Sequence, residues 1–437
     1  MHLTRYRLSA LLASAVLVGS ACSATGTDPA PGAERDTATP GSSVESDPGA
    51  GEAEDTSDEP LSWGPTEGEL AEAQELVSGW SAEQLAGQVI VGRFHGTDPA
   101  EAARLVRDLH LAGVSVTGEN VTDEAQVREM TSALSRAVAA DGRDFPAVIG
   151  VDQEGGVVSH LRGIATEFPS FATAGAAIAA NPRQGRAVTR RSAYTTGLEL
   201  RDLGFTWVFA PVADVTIGAA DPTIGSRSPS SDPATAAAAN VAAVGGFDDA
   251  GIVSTTKHFP GHGSVTADSH ETLPILGASL EELRNRDLVP FAEAVEAGAP
   301  AVMVGHLDVQ AVAPGVPSTL APEIYDLLRD EVGFEGVALT DSMGMGAVMG
   351  LPQPGVRALN AGADLLLMPA DTRNTHGVVA RAIESGAVSR DRAEEAAARV
   401  VALQLWQQRI ADQVPVPADV RERAAAAAAA LSAAAYG

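Results

Sequence analysis

Cysteine and lysine are almost missing from this chain of 437 residues. The single cysteine, Cys22, excludes an internal disulfide and any cysteine-built metal site. Positive charge is scarce: 29 basic residues stand against 57 acidic ones, a formal net charge of −28. A surface this acidic repels phosphate backbones, so no nucleic-acid partner is expected. Aromatics make up only 4% of the chain, while glycine and alanine abound, so helices and strands must pack through small side chains. No apolar run is long enough to span a bilayer with stop-transfer flanks; the longest candidate, residues 8–19, is too short.

That short run has a context of its own. Arg5 and Arg7 precede it and Ser20-Ala21-Cys22 follow, which is the layout of a signal peptide over residues 1–21. The small residues before Cys22 resemble a bacterial lipobox, with Gly19 where leucine is usual. The resemblance implies that Cys22 is lipidated and becomes the mature N-terminus, anchoring the protein to the outer face of the cell membrane. Residues 22–62 then read as an acidic tether. Between Ser23 and Ser62 ten acids face one base, Arg35, among Pro, Gly, Ser and Thr, and such a stretch buries too little apolar area to offset its ordering entropy.

From Trp63 the texture alternates between strand and helix. Ser81 and Gln84 have the spacing of a capping box. Short apolar runs follow at 89–93, 113–117, 147–151, 207–210, 253–256, 301–304, 337–339 and 365–368. They lack period-2 alternation, as expected of parallel strands covered on both faces. Helical patterns at 182–203, 233–249, 280–296 and 322–332 lie between them. Eight such units predict an α/β protein, a (β/α)8 TIM-type barrel forming one catalytic domain over residues 63–412, with a doubly wound sheet as the alternative. Residues 413–437 are an alanine-rich helix or tail, read as packing or fraying.

The only lysine, Lys257, sits in the run Lys257-His258-Phe259-Pro260-Gly261-His262-Gly263, ahead of Asp268-Ser269-His270. This stretch holds three of the nine histidines. Polar residues cluster where the predicted strands end: Asp152 after the third, Pro211 and Asp214 after the fourth, Lys257 and His258 after the fifth, His306 after the sixth and Asp341 after the seventh. In a barrel those ends share one face, where active sites are built. Asp341 emerges from an apolar strand into a loop of Gly and Met, and reads either as a covalent nucleophile or as a helix cap. Asp268 and His270, two residues apart in a loop, read as a carboxylate-oriented acid/base or as a structural hydrogen bond. A third reading, a metal site from His258, His262, His270 and Asp268, is disfavoured by the ammonium of Lys257 beside the ion. Asp152-Gln153-Glu154-Gly155-Gly156 with Arg162, and Ile224-Gly225-Ser226-Arg227-Ser228, add groups suited to sugar hydroxyls and an amide.

These motifs resemble glycoside hydrolase family 3, in its single-domain β-N-acetylglucosaminidase branch, and with the N-terminus a lipoprotein of actinobacterial type. The likeness covers about residues 76–370. It rests on Lys257 through His270 with Glu271-Thr272-Leu273-Pro274, on Asp152 through Gly156, and on the loop bearing Asp341. It implies a (β/α)8 barrel with Asp341 as nucleophile, His270 as general acid/base and Asp268 polarising it. Asp152, Arg227, Lys257 and His258 match the residues that hold the N-acetylglucosamine ring. Three positions depart from the family. His160 stands where a sugar-contacting Arg is common, with Arg162 near enough in sequence to compensate. Val157 replaces another Arg, and Ser342 replaces an Asp.

The resemblance implies a retaining exo-β-N-acetylglucosaminidase acting on peptidoglycan-derived fragments and needing neither metal nor cofactor; the sequence leaves the oligomeric state open, with a monomer favoured. A phosphorylase using phosphate in place of water, and a non-catalytic sugar-binding lipoprotein, are the alternatives. A metal-dependent hydrolase is a further competing class.

Overall fold

The structure is a computed structural model, and residues 57–437 are the ones described. The leader, Cys22 and nearly all of the acidic tether fall outside the described residues. Among the described residues, no helix is long and apolar enough to cross a membrane.

Eight parallel strands carry the fold. They are β1 (Ile90–Gly92), β2 (Gly113–Val116), β3 (Val148–Val151), β4 (Trp207–Val208), β5 (Thr256–Phe259), β6 (Ala301–Val304), β7 (Val337–Thr340) and β8 (Leu366–Leu367). Every residue in them is buried, as expected of mostly apolar parallel strands covered on both faces; β5, with Thr256, Lys257 and His258, is the polar exception. They form two curled parallel sheets, one ordered β8-β1-β2-β3-β4 and the other β7-β6-β5. Single parallel bridges, Trp207 to Val253 and Leu339 to Leu365, link the sheets at both junctions. Helices cover the outside, opened by Asp98, Asp123, Asn181, Asp232, Asp371 and Ser389, whose side chains accept first-turn N–H groups.

Three local expectations change. The fifth strand, expected at 253–256, runs instead over Thr256–Phe259. Lys257 and His258 read as loop because they are polar, yet their side chains find buried partners and the ladder continues through them. The helix expected across 280–296 breaks into Leu280–Asn285 and Val289–Glu296. Pro290, in the first turn of the second helix, has no N–H to continue the first. The helix expected over 322–332 is α only to Asp326, then widens to a π-helix over Leu327–Glu331.

The alanine-rich C-terminus is a helix, Val420–Tyr436, and it packs rather than frays. Ala424, Ala427, Ala428 and Leu431 are buried, and the helix lies against Ala172–Ala180 and Pro182–Asp202. The described chain enters on the side where strands begin. Ser62 Oγ donates to Glu335 Oε2 at 2.8 Å, just ahead of β7, and the Ser62 carbonyl faces Gly298, just ahead of β6.

Candidate active site

At the opposite side, where the strands end, several of the residues singled out in the sequence, Asp152, Arg227, Lys257 and His258, come together around a buried ion network. Lys257, on β5, is 1% exposed. Its Nζ lies 2.5 Å from Asp152 Oδ1 and 2.6 Å from Glu154 Oε1. Burial alone would lower the pKa of this ammonium, but the two carboxylates outweigh that and raise it. Arg227, in the short helical turn Gly225–Arg227, grips Glu154 in a two-pronged pair, Nε to Oε2 and Nη2 to Oε1, each at 2.8 Å. Burial opposes the charge on Glu154, yet Lys257 and Arg227 hold its carboxyl down at about 2. Two cations and two carboxylates thus balance with little access to water. Asp152 is the opening: its side chain is 23% exposed, against 2% for Lys257 and Glu154.

A second carboxylate organises the histidines. Asp214, after β4, is fully buried. Its Oδ2 lies 2.7 Å from His258 Nδ1, and its Oδ1 accepts the backbone N–H of His262 at 2.6 Å. His258 therefore carries its proton on Nδ1, and Nε2 accepts from Arg227 Nη2 at 3.3 Å. Burial opposes the charge on Asp214, but His258, His262 and the His262 N–H bring its pKa below the ordinary range. Burial also lowers the pKa of His262, whose Nε2 sits 3.1 Å from Ser269 Oγ.

Sequence reasoning did not assign roles to Glu154 and Asp214. The signal was present as charge arithmetic. A buried Lys and Arg on neighbouring strand ends need more than one carboxylate, and the Asp152 motif carries a second acid two residues on.

Asp341 leaves β7 with its N–H bonded to Val304 O at 2.9 Å. Its Oδ1 accepts the Ser342 N–H at 2.7 Å. Burial alone would raise its pKa, but His258, His306, that N–H and Lys257 lower it below the ordinary value, so the carboxylate stays ionised. His306 steadies the next residue. Its Nε2 donates to Ser342 O at 2.9 Å, while Nδ1 takes the Thr319 hydroxyl at 2.8 Å.

Asp268 and His270 stand apart in character. Asp268 Oδ1 accepts from the His270 backbone N–H at 2.9 Å and lies 2.7 Å from His270 Nδ1. The ring's Nε2 is left to exchange a proton. The side chains are 66% and 43% exposed for His270 and Asp268, so this pair faces solvent from its loop. Burial opposes the charge on Asp268, but the His270 backbone and ring hold its pKa below the ordinary value. The loop tip is tied to the segment after Asp341: Gly346 N–H bonds His270 O at 3.1 Å, and Ala347 N–H bonds Ser269 O at 3.4 Å. A Cβ on Gly346 would stand 2.7 Å from Glu271 O and 2.8 Å from His270 O, so only glycine allows this approach.

Two expected sugar contacts lie outside the network. Arg162 Nη2 donates to Gly156 O at 2.8 Å and Val157 O at 3.0 Å, closing the turn of the hairpin Gln153–Gly155/Val158–Ser159. His160 Nδ1 accepts the Gly118 N–H at 3.2 Å, reaching the loop after β2. Among the described residues, no group of three or more His, Cys, Asp or Glu side chains is arranged to hold a metal ion.

Comparison with known proteins agrees with this geometry. The profile of the glycosyl hydrolase family 3 N-terminal domain matches residues 81–403. A protein named beta-hexosaminidase A from Pseudoalteromonas piscicida is 32% identical over 70% of this chain and 55% of its own length. The chain thus spans only about half of that relative. A beta-hexosaminidase from Stenotrophomonas maltophilia is 38% identical over 59% of this chain and 76% of its own length. Among solved structures, a glycoside hydrolase family 3 beta-N-acetylglucosaminidase from Paenibacillus superposes with a TM-score of 0.72 at 31% identity, over 79% of this chain and 68% of that one.

Proposed function

From the premise that this chain belongs to glycosyl hydrolase family 3, we propose that it is a retaining exo-β-N-acetylglucosaminidase. Asp341 is the nucleophile, His270 the general acid and then base, and Asp268 the group that orients it. Asp152, Lys257, Arg227 and His258 hold the sugar ring, with Glu154 and Asp214 fixing them from behind.

The observation that carries this reading is the pairing of two groups with opposite needs. An ionised, buried carboxylate sits at the end of β7, and an imidazole with one nitrogen fixed by a carboxylate sits on a loop bonded to the segment just past it. Retaining hydrolysis asks for such a pair. Imidazolium His270 gives the Nε2 proton to the leaving oxygen as Asp341 attacks the anomeric carbon. Neutral His270 then takes a proton from water, which displaces Asp341 and releases the sugar with its β configuration kept.

The same reading closes the eight strands into a (β/α)8 barrel, which the bridges at the two sheet junctions support. It takes a peptidoglycan-derived fragment with a terminal β-linked N-acetylglucosamine as substrate, and a lipid on Cys22 as the anchor of an extracytoplasmic, membrane-attached monomer of actinobacterial type. The sequence of the leader supports the anchor, and relatives named beta-hexosaminidase and beta-N-acetylglucosaminidase support the acetamido sugar.

The test is release of p-nitrophenol from p-nitrophenyl sugars with and without the 2-acetamido group, with and without phosphate, and after chelator treatment. Turnover of the acetamido sugar alone, indifferent to phosphate and chelator, is expected. Strict dependence on phosphate would make the enzyme a phosphorylase. No turnover of any of these sugars would sink the assignment. Cys22→Ser should release the protein into the medium, and continued membrane association would refute the anchor.

A further inference from the structure

The break in the helix pair after β5 has a consequence for the proton-transfer loop. It leaves Arg286 and Asp287 between the two helices, beside the stem of the loop that carries His270. Arg286 Nη1 donates to Ser264 Oγ and, at 3.0 Å, to Asp287 Oδ1, while Nη2 donates to Val215 O at 2.7 Å. Ser264 Oγ also donates to Asp287 Oδ1 at 3.0 Å. One guanidinium thereby ties together the loop after β4, the stem of the His270 loop and the helix break.

The stem is close-packed at the same place. Gly261 has φ +125°, and a Cβ there would stand 2.7 Å from Asp287 Cβ. A Cβ on Gly263 would stand 2.4 Å from Val215 O. Two glycines let the chain leave β5 sharply, and nothing in their own side chains can hold the exit angle. Asp287 is almost wholly buried, its side chain 1% exposed, and a buried carboxyl on a surface helix turn needs such partners to be tolerated.

We propose that Arg286 is a positioning residue that sets the stem angle of the His270 loop and so aims the acid/base at the leaving oxygen. The claim rests on the reading of His270 given above. Arg286 touches neither sugar nor proton; it acts through Ser264, Asp287 and the backbone of Val215. General acid catalysis contributes on the order of 10²–10⁴-fold and matters most when the leaving group is a poor one.

The test is Arg286→Gln, with Arg286→Lys as the conservative variant and Arg286→Gln/Asp287→Asn removing both charges in case the single change leaves Asp287 unable to fold. For each, kcat/KM is measured across aryl and alkyl N-acetyl-β-glucosaminides of rising leaving-group pKa. We expect a loss under about 3-fold for the most activated aryl glycoside and about 30-fold or more for an alkyl one, with Arg286→Lys recovering part of it. An equal loss across all leaving groups would mark general damage to the fold and overturn the proposal, as would no loss. Amide hydrogen exchange over residues 261–272 reads the loop without turnover. It should quicken in Arg286→Gln, and unchanged exchange overturns the proposal even if the enzyme has another substrate. A wild type whose rates are unaltered by His270→Ala would instead refute the acid/base assignment, leaving the exchange result to decide on the loop.

Discussion

The buried ion network around Lys257 and the loop that carries His270 are built on opposite principles. In the network, which the proposed function makes the sugar cradle, Lys257 and Arg227 are matched against Asp152 and Glu154, and Asp214 is hydrogen-bonded to His258. Its members are buried and sit on strand ends or tight turns, so their positions are set before a ligand arrives. The loop presents Asp268 and His270 to solvent, leaves β5 through the close-packed Gly261 and Gly263, and is held by backbone hydrogen bonds at its tip and by Arg286 at its stem. The contrast follows from the chemistry. Recognising a sugar rewards rigidity, because each flexible donor costs ordering entropy on binding. Moving a proton twice, with a leaving group departing and water entering between, requires access.

Asp341 lies between the two regions, and its removal should have the largest effect. Asp341→Asn is expected to lower kcat by roughly 10³–10⁵-fold while leaving the thermal midpoint nearly unchanged. Retention of more than a tenth of the wild-type rate would show that the nucleophile lies elsewhere.

The cradle and the loop should then part company. Glu154→Gln leaves the two buried cations Lys257 and Arg227 facing Asp152 alone, at a cost of about 3–5 kcal/mol in stability, read by urea unfolding. His270→Ala should lower kcat by about 10²–10⁴-fold with almost no change in stability, and azide should restore part of the rate for activated substrates. If the two variants swapped signatures, the division drawn here would be wrong.

Acid should sharpen the same contrast. The folded pKa of Glu154 is depressed to about 2, so its contribution to stability is full above its ordinary value and is lost as pH falls from about 4.5 to about 2. Urea midpoints measured down that range should fall more steeply for the wild type than for Glu154→Gln. Parallel curves would mean that the carboxyl is not held down by its two cations.

The smallest effects are expected outside the network. Arg162→Ala, which only frees two carbonyls at an exposed hairpin turn, should change KM by about 3-fold or less. A rise of tenfold or more would draw Arg162 into sugar recognition after all.

Much of this was legible in the sequence, for identifiable reasons. The strand runs could be read because strands buried on both faces are apolar throughout, as at Val148–Val151 and Ala301–Val304. The convergence of Asp152, Lys257, Arg227, His258 and Asp341 followed from their placement at strand ends. Two kinds of feature were not legible. The end of β5 was drawn short at Thr256 because Lys257 and His258 are polar and their buried partners lie far off in the chain. The break at Arg286 was missed because Pro290 is also compatible with a continuous helix that kinks. Roles for Glu154 and Asp214 depend on contacts between residues far apart in the chain: Arg227 lies 73 positions from Glu154, and His258 lies 44 from Asp214. No local pattern reports such pairs.

The entry of the chain beside Glu335 and Gly298 bears on how the enzyme can be handled. A bead, a dye or a fusion partner joined at residue 57 would sit on the side where the strands begin, away from Asp152 and Lys257 at the strand ends. A coupling made through the hairpin around Val157 or through the loop of His270 would instead plug the opening. Attachment by the leading end is the geometry that leaves Asp152 and the loop of His270 open to solvent.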